Sequence, residues 1–264
     1  MIYEYLNKNG FGAIETEYLK AAKANKSNIF KFPSEDVQVI TNGLKGEVTA
    51  KGALSIFKEL TKTIEQFEFV NNPRILDYGC GWGRITRLLA TLSDDDNIYG
   101  VDVDSRLISS AKQCAKSLTF GEIQSMRPLP FANDSFDLIF ANSVFSHLSE
   151  KSAISTLLEL VRLLNPNGKI IVSVLELKEM KKFYSSEKQR EWIEKILGSQ
   201  EKAEQVLSRD NFVWGDTKRW DNYGIAIMND VWLNDNLNNM SAELIGSYRT
   251  KEAGSQNYKV ITKS

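Results

Sequence analysis

Between residues 74 and 175, short apolar runs alternate with stretches of helical periodicity. Arg74–Tyr78 (Arg-Ile-Leu-Asp-Tyr) reads as a buried strand entered from Pro73. In Arg84–Leu92, Ile85, Leu88, Leu89 and Leu92 recur at i, i+3, i+4 and i+7, the stripe of an amphipathic helix. Ile98–Val101 predicts a second strand, and Ser105–Ser117 a helix with Leu107, Ile108, Ala111, Cys114 and Ala115 on one face. Phe120–Ile123 and Phe136–Ala141 read as the third and fourth strands. Ser149 is placed to cap a helix whose Ile154, Leu157, Leu158, Val161 and Leu164 form the buried stripe. Asn165-Pro166-Asn167-Gly168 then reads as a stop, and Lys169–Leu175 as a fifth, β-branched strand. Such alternation means βαβ units, hence an α/β fold with a mostly parallel sheet between helices. Ala242–Tyr248 and Tyr258–Thr262, around a Gly-containing loop, predict a closing antiparallel hairpin.

Two segments stand outside the alternation. Residues 1–70 look helical and mixed, and residues from about 179 to 228 form an insertion. Within Lys178–Lys195 cations and acids interleave at helical spacing, the pattern of a solvated helix face. Of 264 residues 42% are hydrophobic and 25% charged, which excludes disordered, collagen-like and coiled-coil chains. Lys+Arg 33 against Asp+Glu 34 leaves a net charge of −1, so no global basic field draws the chain to nucleic acid or an anionic membrane. Cys80 and Cys114 make neither a disulfide framework nor a metal cluster, so reduced thiols and no metal are expected. Met1–Lys20 carries Glu4, Glu15 and Glu17 and no apolar core of a signal peptide. The longest apolar stretch, near Ile170–Leu175, falls far short of the roughly 20 residues of a spanning helix. A cytoplasmic location is expected.

The sharpest feature is Leu76-Asp77-Tyr78-Gly79-Cys80-Gly81-Trp82-Gly83-Arg84, between the first strand and the first helix of the alternation. Glycines at alternate positions let backbone turn tightly and approach a ligand without Cβ clashes. Their place at the carboxyl end of a strand, before a helix N-terminus, is where open α/β sheets bind nucleotides. A dinucleotide fingerprint wants its third glycine at position 84, which is Arg, and no Gly-Lys-Ser/Thr follows for a phosphate loop. A second acid, Asp102, ends the second strand and suits the two hydroxyls of a ribose. Asp77 suits an ammonium or an oriented water. A ligand with a ribose, an amino-acid end and no pyrophosphate fits this arrangement.

In these features the chain resembles the class I S-adenosylmethionine-dependent methyltransferases. The likeness runs from about Arg74 to Val174. It takes in the Asp-x-Gly-x-Gly-x-Gly loop, the acid after strand two and Leu129-Pro130-Phe131-Ala132-Asn133-Asp134-Ser135-Phe136-Asp137. It continues through Ser143-Val144-Phe145-Ser146-His147-Leu148 and Leu163-Leu164-Asn165-Pro166-Asn167-Gly168-Lys169. Tyr223–Met228, Trp232 and the final hairpin look like a subgroup acting on small molecules or sugars.

The resemblance implies a Rossmann-like three-layer sandwich with a seven-stranded sheet. It also implies an N-terminal helical lid (residues 1–70) and a methyltransferase domain (71–264) carrying the substrate-cap insertion. Candidates within the lid are Tyr3, Tyr5, Phe11 and Tyr18. Asp77, Gly79, Cys80, Gly81 and Gly83 would surround the methionine part of the cofactor S-adenosylmethionine. Asp102 would hold the ribose, and Val103 and Met126 would cover the adenine. Relatives often place an Asp near position 125, where this chain has Ser125-Met126, so that contact passes to a backbone group or water. Asn142 is expected at the cofactor's methionine end.

Methyl transfer from a sulfonium is an in-line displacement that rewards alignment and dryness. A hydroxyl acceptor gains from a nearby base, and the only histidine, His147, follows strand four; histidine as a residue type, with an ordinary pKa of about 6.5, suits proton transfer. Capping the next helix or orienting a loop is the competing role for it. Ser143, Trp214, Trp220 and Tyr223 are the remaining candidate substrate contacts, the aromatics offering flat faces to a ring or sugar. The expected function is O- or N-methylation of a small molecule, a saccharide or secondary metabolite, by a monomer or homodimer. The alternatives are an RNA or protein methyltransferase, or an inactive cofactor-binding module. The first of these lacks an Asn-Pro-Pro-Tyr motif after strand four, where Asn142-Ser143-Val144-Phe145 stands.

Overall fold

The computed structural model describes residues 8–27, 29–67, 70–218, 223–249 and 257–264. The chain divides into two compact units, residues 1–124 with 136–140, and residues 125–135 with 141–264.

The first unit opens with α1 (Phe11–Ala24), α2 (Glu35–Asn42) and α3 (Gly46–Ile64). Ala50, Ala53, Leu54, Phe57 and Leu60 recur every three or four residues along α3 and are all buried. Next come β1 (Ile75–Tyr78), α4 (Thr86–Leu89), β2 (Ile98–Asp102), α5 (Ser105–Cys114), β3 (Thr119–Glu122) and β4 (Phe136–Ala141). All four residues of β1 are buried, as in a strand covered on both faces. β1 pairs in parallel with β2, Ile75 opposite Ile98, and with β4, Asp77 opposite Phe140.

Two helices here are shorter than their periodicity predicts. α4 spans only Thr86–Leu89, because Thr91 and Leu92 bond back three residues instead of four. α5 ends at Cys114, where Ala115 leaves the helical region at φ −144°.

The second unit holds α6 (Glu150–Leu163), capped by Ser149 as expected, and β5 (Leu164–Val174). The Asn-Pro-Asn-Gly stop is part of that strand. The chain passes from helix directly into extended backbone, and the Arg162 and Leu163 carbonyls accept from Asp134 and Ser135 N–H at 3.1 and 2.8 Å. The insertion folds as α7 (Leu177–Ser185), α8 (Glu187–Leu197), α9 (Gln200–Asp210) and the antiparallel pair β6 (Phe212–Asp216) and β7 (Gly224–Met228). It has its own small core, including Met180, Tyr184, Ile193, Leu197, Val213 and Ile227. α10 (Asp230–Asn238), β8 (Ala242–Arg249) and β9 (Asn257–Lys263) complete the chain.

Seven strands form one sheet in the order β3-β2-β1-β4-β5-β9-β8, with β9 antiparallel to both β5 and β8. This mostly parallel sheet, closed by an antiparallel hairpin and flanked by helices, is the architecture the alternation predicts. Among the described residues no helix is long and apolar enough to cross a membrane.

Candidate functional site

The glycine loop lies in the first unit. Gly79, Gly81 and Gly83 take φ of 77°, 56° and 75°, the left-handed region that side chains disfavour. At Gly83 a Cβ would also stand 3.0 Å from the Phe120 ring. The N–H groups of Gly79 and Cys80 donate to the Val101 carbonyl at 2.8 and 3.0 Å, which hangs the loop on the end of β2.

Asp102 completes that end. One carboxylate oxygen accepts from Gly81 N–H at 2.8 Å and the other from Asp104 N–H at 2.9 Å. Each oxygen has a second lone pair, so the group retains capacity for two hydroxyl donors. Burial raises its pKa, and the two backbone hydrogen bonds oppose that rise. Val103 beside it is an apolar side chain 58% exposed. A diol acceptor next to an uncovered apolar platform fits an adenosyl ligand.

Asp77 sits deeper, at 2% exposure, and accepts from the Thr86 hydroxyl at 2.5 Å. Burial pushes its pKa to about 7, the Thr86 bond working against the shift and the Asp102 charge adding to it. The structure gives this acid a partner within the protein, joining β1 to the start of α4. Cys80 is also buried, and burial drives its thiol pKa upward, the opposite of a reactive thiolate.

Sequence reasoning missed Arg87. Only 1% exposed, it donates from Nε to the Gly83 carbonyl at 2.8 Å and from Nη1 to the Lys31 carbonyl. Its guanidinium lies against the rings of Trp82, Phe32 and Tyr18, with centroids at 4.9, 5.0 and 5.7 Å. Tyr18 is fully buried and donates to the Arg84 carbonyl at 2.6 Å, and Phe11 stacks on Phe57. Tyr18 of α1 thus holds the Arg84 carbonyl from outside the sheet, while Arg87 of α4 holds the Gly83 carbonyl and ties it to the N-terminal segment through Lys31. The signal for Arg87 was present in the sequence, as an arginine beside Leu88 and Leu89 on an apolar helix. Tyr3 and Tyr5 lie outside the described residues.

The second unit carries the other candidates. Ser125 and Met126 are exposed, Met126 at 38% with φ 58°. Asn142 follows β4, and its side-chain oxygen accepts from the Tyr258 hydroxyl. That fixes the amide so that its NH2 donors face away from Tyr258. Ser143 is held at φ 57°, unusual for a residue with a Cβ, and its N–H donates to Ser173 Oγ at 2.6 Å.

His147 closes the ensuing turn. Its Nδ1 lies 2.9 Å from the Gly224 carbonyl, and its ring stacks on Tyr223 with centroids 4.4 Å apart at 13°. Trp214 stands on β6 opposite Ala226, and its indole N–H donates to the His147 carbonyl at 3.3 Å. His147, Trp214 and Tyr223 are therefore one cluster. Trp220 lies outside the described residues. Gly224 and Tyr258 escaped sequence reasoning because their roles depend on partners far along the chain.

Comparison with known proteins agrees with this geometry. A family model described as a methyltransferase domain matches residues 69–223. The chain belongs to that family, whose cofactor class is S-adenosylmethionine. A malonyl-[acyl-carrier protein] O-methyltransferase of Legionella pneumophila is 34% identical over 104 residues, covering 39% of this chain and 36% of that protein. The chain spans about half the length, or less, of the curated relatives it first matches. Among solved structures, a Pyrococcus horikoshii protein superposes with a TM-score of 0.59 at 17% identity, over 88% of this chain and 100% of that one. Magnesium protoporphyrin IX methyltransferase from Synechocystis, solved with S-adenosylhomocysteine bound, gives 0.52 at 14% identity over 100% and 98%.

Proposed function

We propose that the protein is an S-adenosylmethionine-dependent methyltransferase acting on a hydroxyl of a small molecule, with His147 as base. The observation that carries the reading is Asp102, a carboxylate held by the loop's Gly81 N–H and by Asp104 N–H beside exposed Val103. Bound cofactor would supply a sulfonium methyl to an in-line nucleophile, the methyl–sulfur bonding pair staying on sulfur as a neutral thioether.

Every other part falls to the chain's residues. Asp102 accepts the two ribose hydroxyls. Val103 and Met126 supply apolar faces for the adenine, and the Ser125 segment supplies polar contacts to its edge. The glycine loop offers close backbone approach to the methionine end. Asn142 directs its amide donors toward a carbonyl or carboxylate oxygen. As the new oxygen–methyl bond forms, the acceptor's hydroxyl proton passes to His147 Nε2. Trp214 and Tyr223, with Ser143, hold the acceptor and keep water away. O-methyl transfer in the Legionella relative supports an oxygen acceptor over an amine.

The test is incorporation of a tritiated methyl group from labelled cofactor into a metabolite extract. Label in small molecules is expected, and label only in macromolecules, or none, overturns the substrate class or the activity. His147→Ala should slow turnover at least about tenfold while leaving cofactor affinity by calorimetry unchanged. Full turnover in that variant removes the base.

A further inference from the structure

A histidine base works only if the right nitrogen carries the lone pair. We infer that the β6–β7 ribbon is a positioning device that selects the Nδ1–H tautomer of His147 and so makes Nε2 the proton acceptor. The inference rests on the base reading above and deepens it.

Three sets of contacts carry it. The group facing His147 Nδ1 at 2.9 Å is the Gly224 carbonyl, which has no proton to give, so the ring nitrogen must be the donor. The stack of Tyr223 on the imidazole, 13° from parallel, fixes the plane of the ring that presents Nδ1 to that carbonyl. The backbone around the histidine is tied to the same ribbon. Gly224 N–H donates to the His147 carbonyl at 2.8 Å, Ala226 N–H to the Ser146 carbonyl at 2.9 Å, and Leu148 bridges Tyr223.

The ribbon is built to bring that carbonyl close. A Cβ on Gly224 would stand 2.4 Å from the Trp214 indole nitrogen and 2.2 Å from the Gly215 carbonyl oxygen, so only glycine fits there. Histidine and ribbon come from different parts of the sequence, one following β4 and the other closing the insertion. Gly224 is thus a positioning residue, acting on the reaction through His147, and Tyr223 adds the same positioning to its proposed contact with the acceptor. Unconstrained neutral histidine favours the opposite, Nε2–H form, so the selection has a cost that the ribbon's contacts offset.

The experiment uses the fact that the chain has a single histidine, so 15N-histidine labelling of the full protein gives one imidazole spin system. Long-range proton–nitrogen correlation, at a pH where the ring is neutral, reports which nitrogen is protonated. A protonated Nδ1 and an unprotonated Nε2 are expected. An Nε2–H signal, or an average of the two forms, overturns the inference whatever His147→Ala does to turnover. Tyr223→Phe keeps the stacked face and should keep the Nδ1–H signal. Tyr223→Leu should average the two forms and lower kcat by roughly tenfold, with cofactor affinity unchanged. A Leu variant with the parent spectrum removes the stack from the device. An inactive His147→Ala beside an Nε2–H parent spectrum would show that the base reading survives and the ribbon's role does not.

Discussion

A carboxyl as deeply buried as that of Asp77 is easier to keep protonated than charged. Its pKa rises from 3.8 to about 7 on folding. The folded state therefore binds the proton more tightly than the unfolded chain. This group's contribution to stability is full below pH 3.8 and is lost as pH climbs through about 7, a change on the order of 4 kcal/mol at most. Asp77→Asn should accept the Thr86 hydroxyl without that proton linkage. Urea denaturation across pH 4 to 8 should then show a smaller fall in stability for the variant than for the parent, and equal slopes would contradict the assignment. Asp102→Ala acts differently. It strips the acceptor from Gly81 and Asp104 N–H and, in the function proposed above, from the ribose, so the cofactor dissociation constant in calorimetry should rise by at least about tenfold. Both acids are readable from the sequence, because a carboxylate ending an apolar strand is conspicuous. Their partners are less so. Thr86 beneath Asp77, or Tyr258 on Asn142, depends on how separate segments meet.

At the scale of elements, periodicity located most strands to within a residue or two. Phe136–Ala141 matches its predicted bounds, whereas α4 is truncated to one turn by backbone bonds that tighten after Leu89. β6 went unseen for a plain reason. Phe-Val-Trp-Gly-Asp is too short for alternation to register, and its Gly and Asp read as loop. Only the facing Gly224–Met228 run makes it a strand. The cap expected at Ser149 is present, accepting from Ser152 N–H, because its chemistry is local. Asp104 accepts from Arg106 N–H at 2.9 Å at the head of α5 and pairs with the Arg106 side chain. Asp104→Ala should lower unfolding free energy by about 1 kcal/mol in chemical denaturation. A change within a few tenths would mean that the cap is idle.

At the scale of the molecule, the alternation indicates a parallel sheet but not where its hairpin lies. That β9 runs between β5 and β8 follows from pairings that no periodicity encodes. One consequence is Lys259, a lysine 3% exposed in the middle of β9, with its ammonium 2.6 Å from Glu176 and 2.5 Å from Asp230. Lys259→Ala leaves two carboxylates facing each other without a cation. Because Asp230 is half exposed to water, the loss should be about 2 kcal/mol, below the range for a fully buried pair, by denaturant unfolding. Lys259→Met, which keeps the volume, should cost less than the alanine change.

The same strand order bears on how the protein is made. Of the seven strands, the one translated last holds an interior place, and the outer edge of β5, with Ile170, Ile171, Val172 and Val174 buried, has β9 as its only cover on that side. Until those residues leave the ribosome, an apolar edge rich in β-branched side chains stays open to other nascent chains. This half therefore completes its sheet only once β9 has been synthesised. Its yield in cells should depend on whatever chaperone shields that edge in the interval.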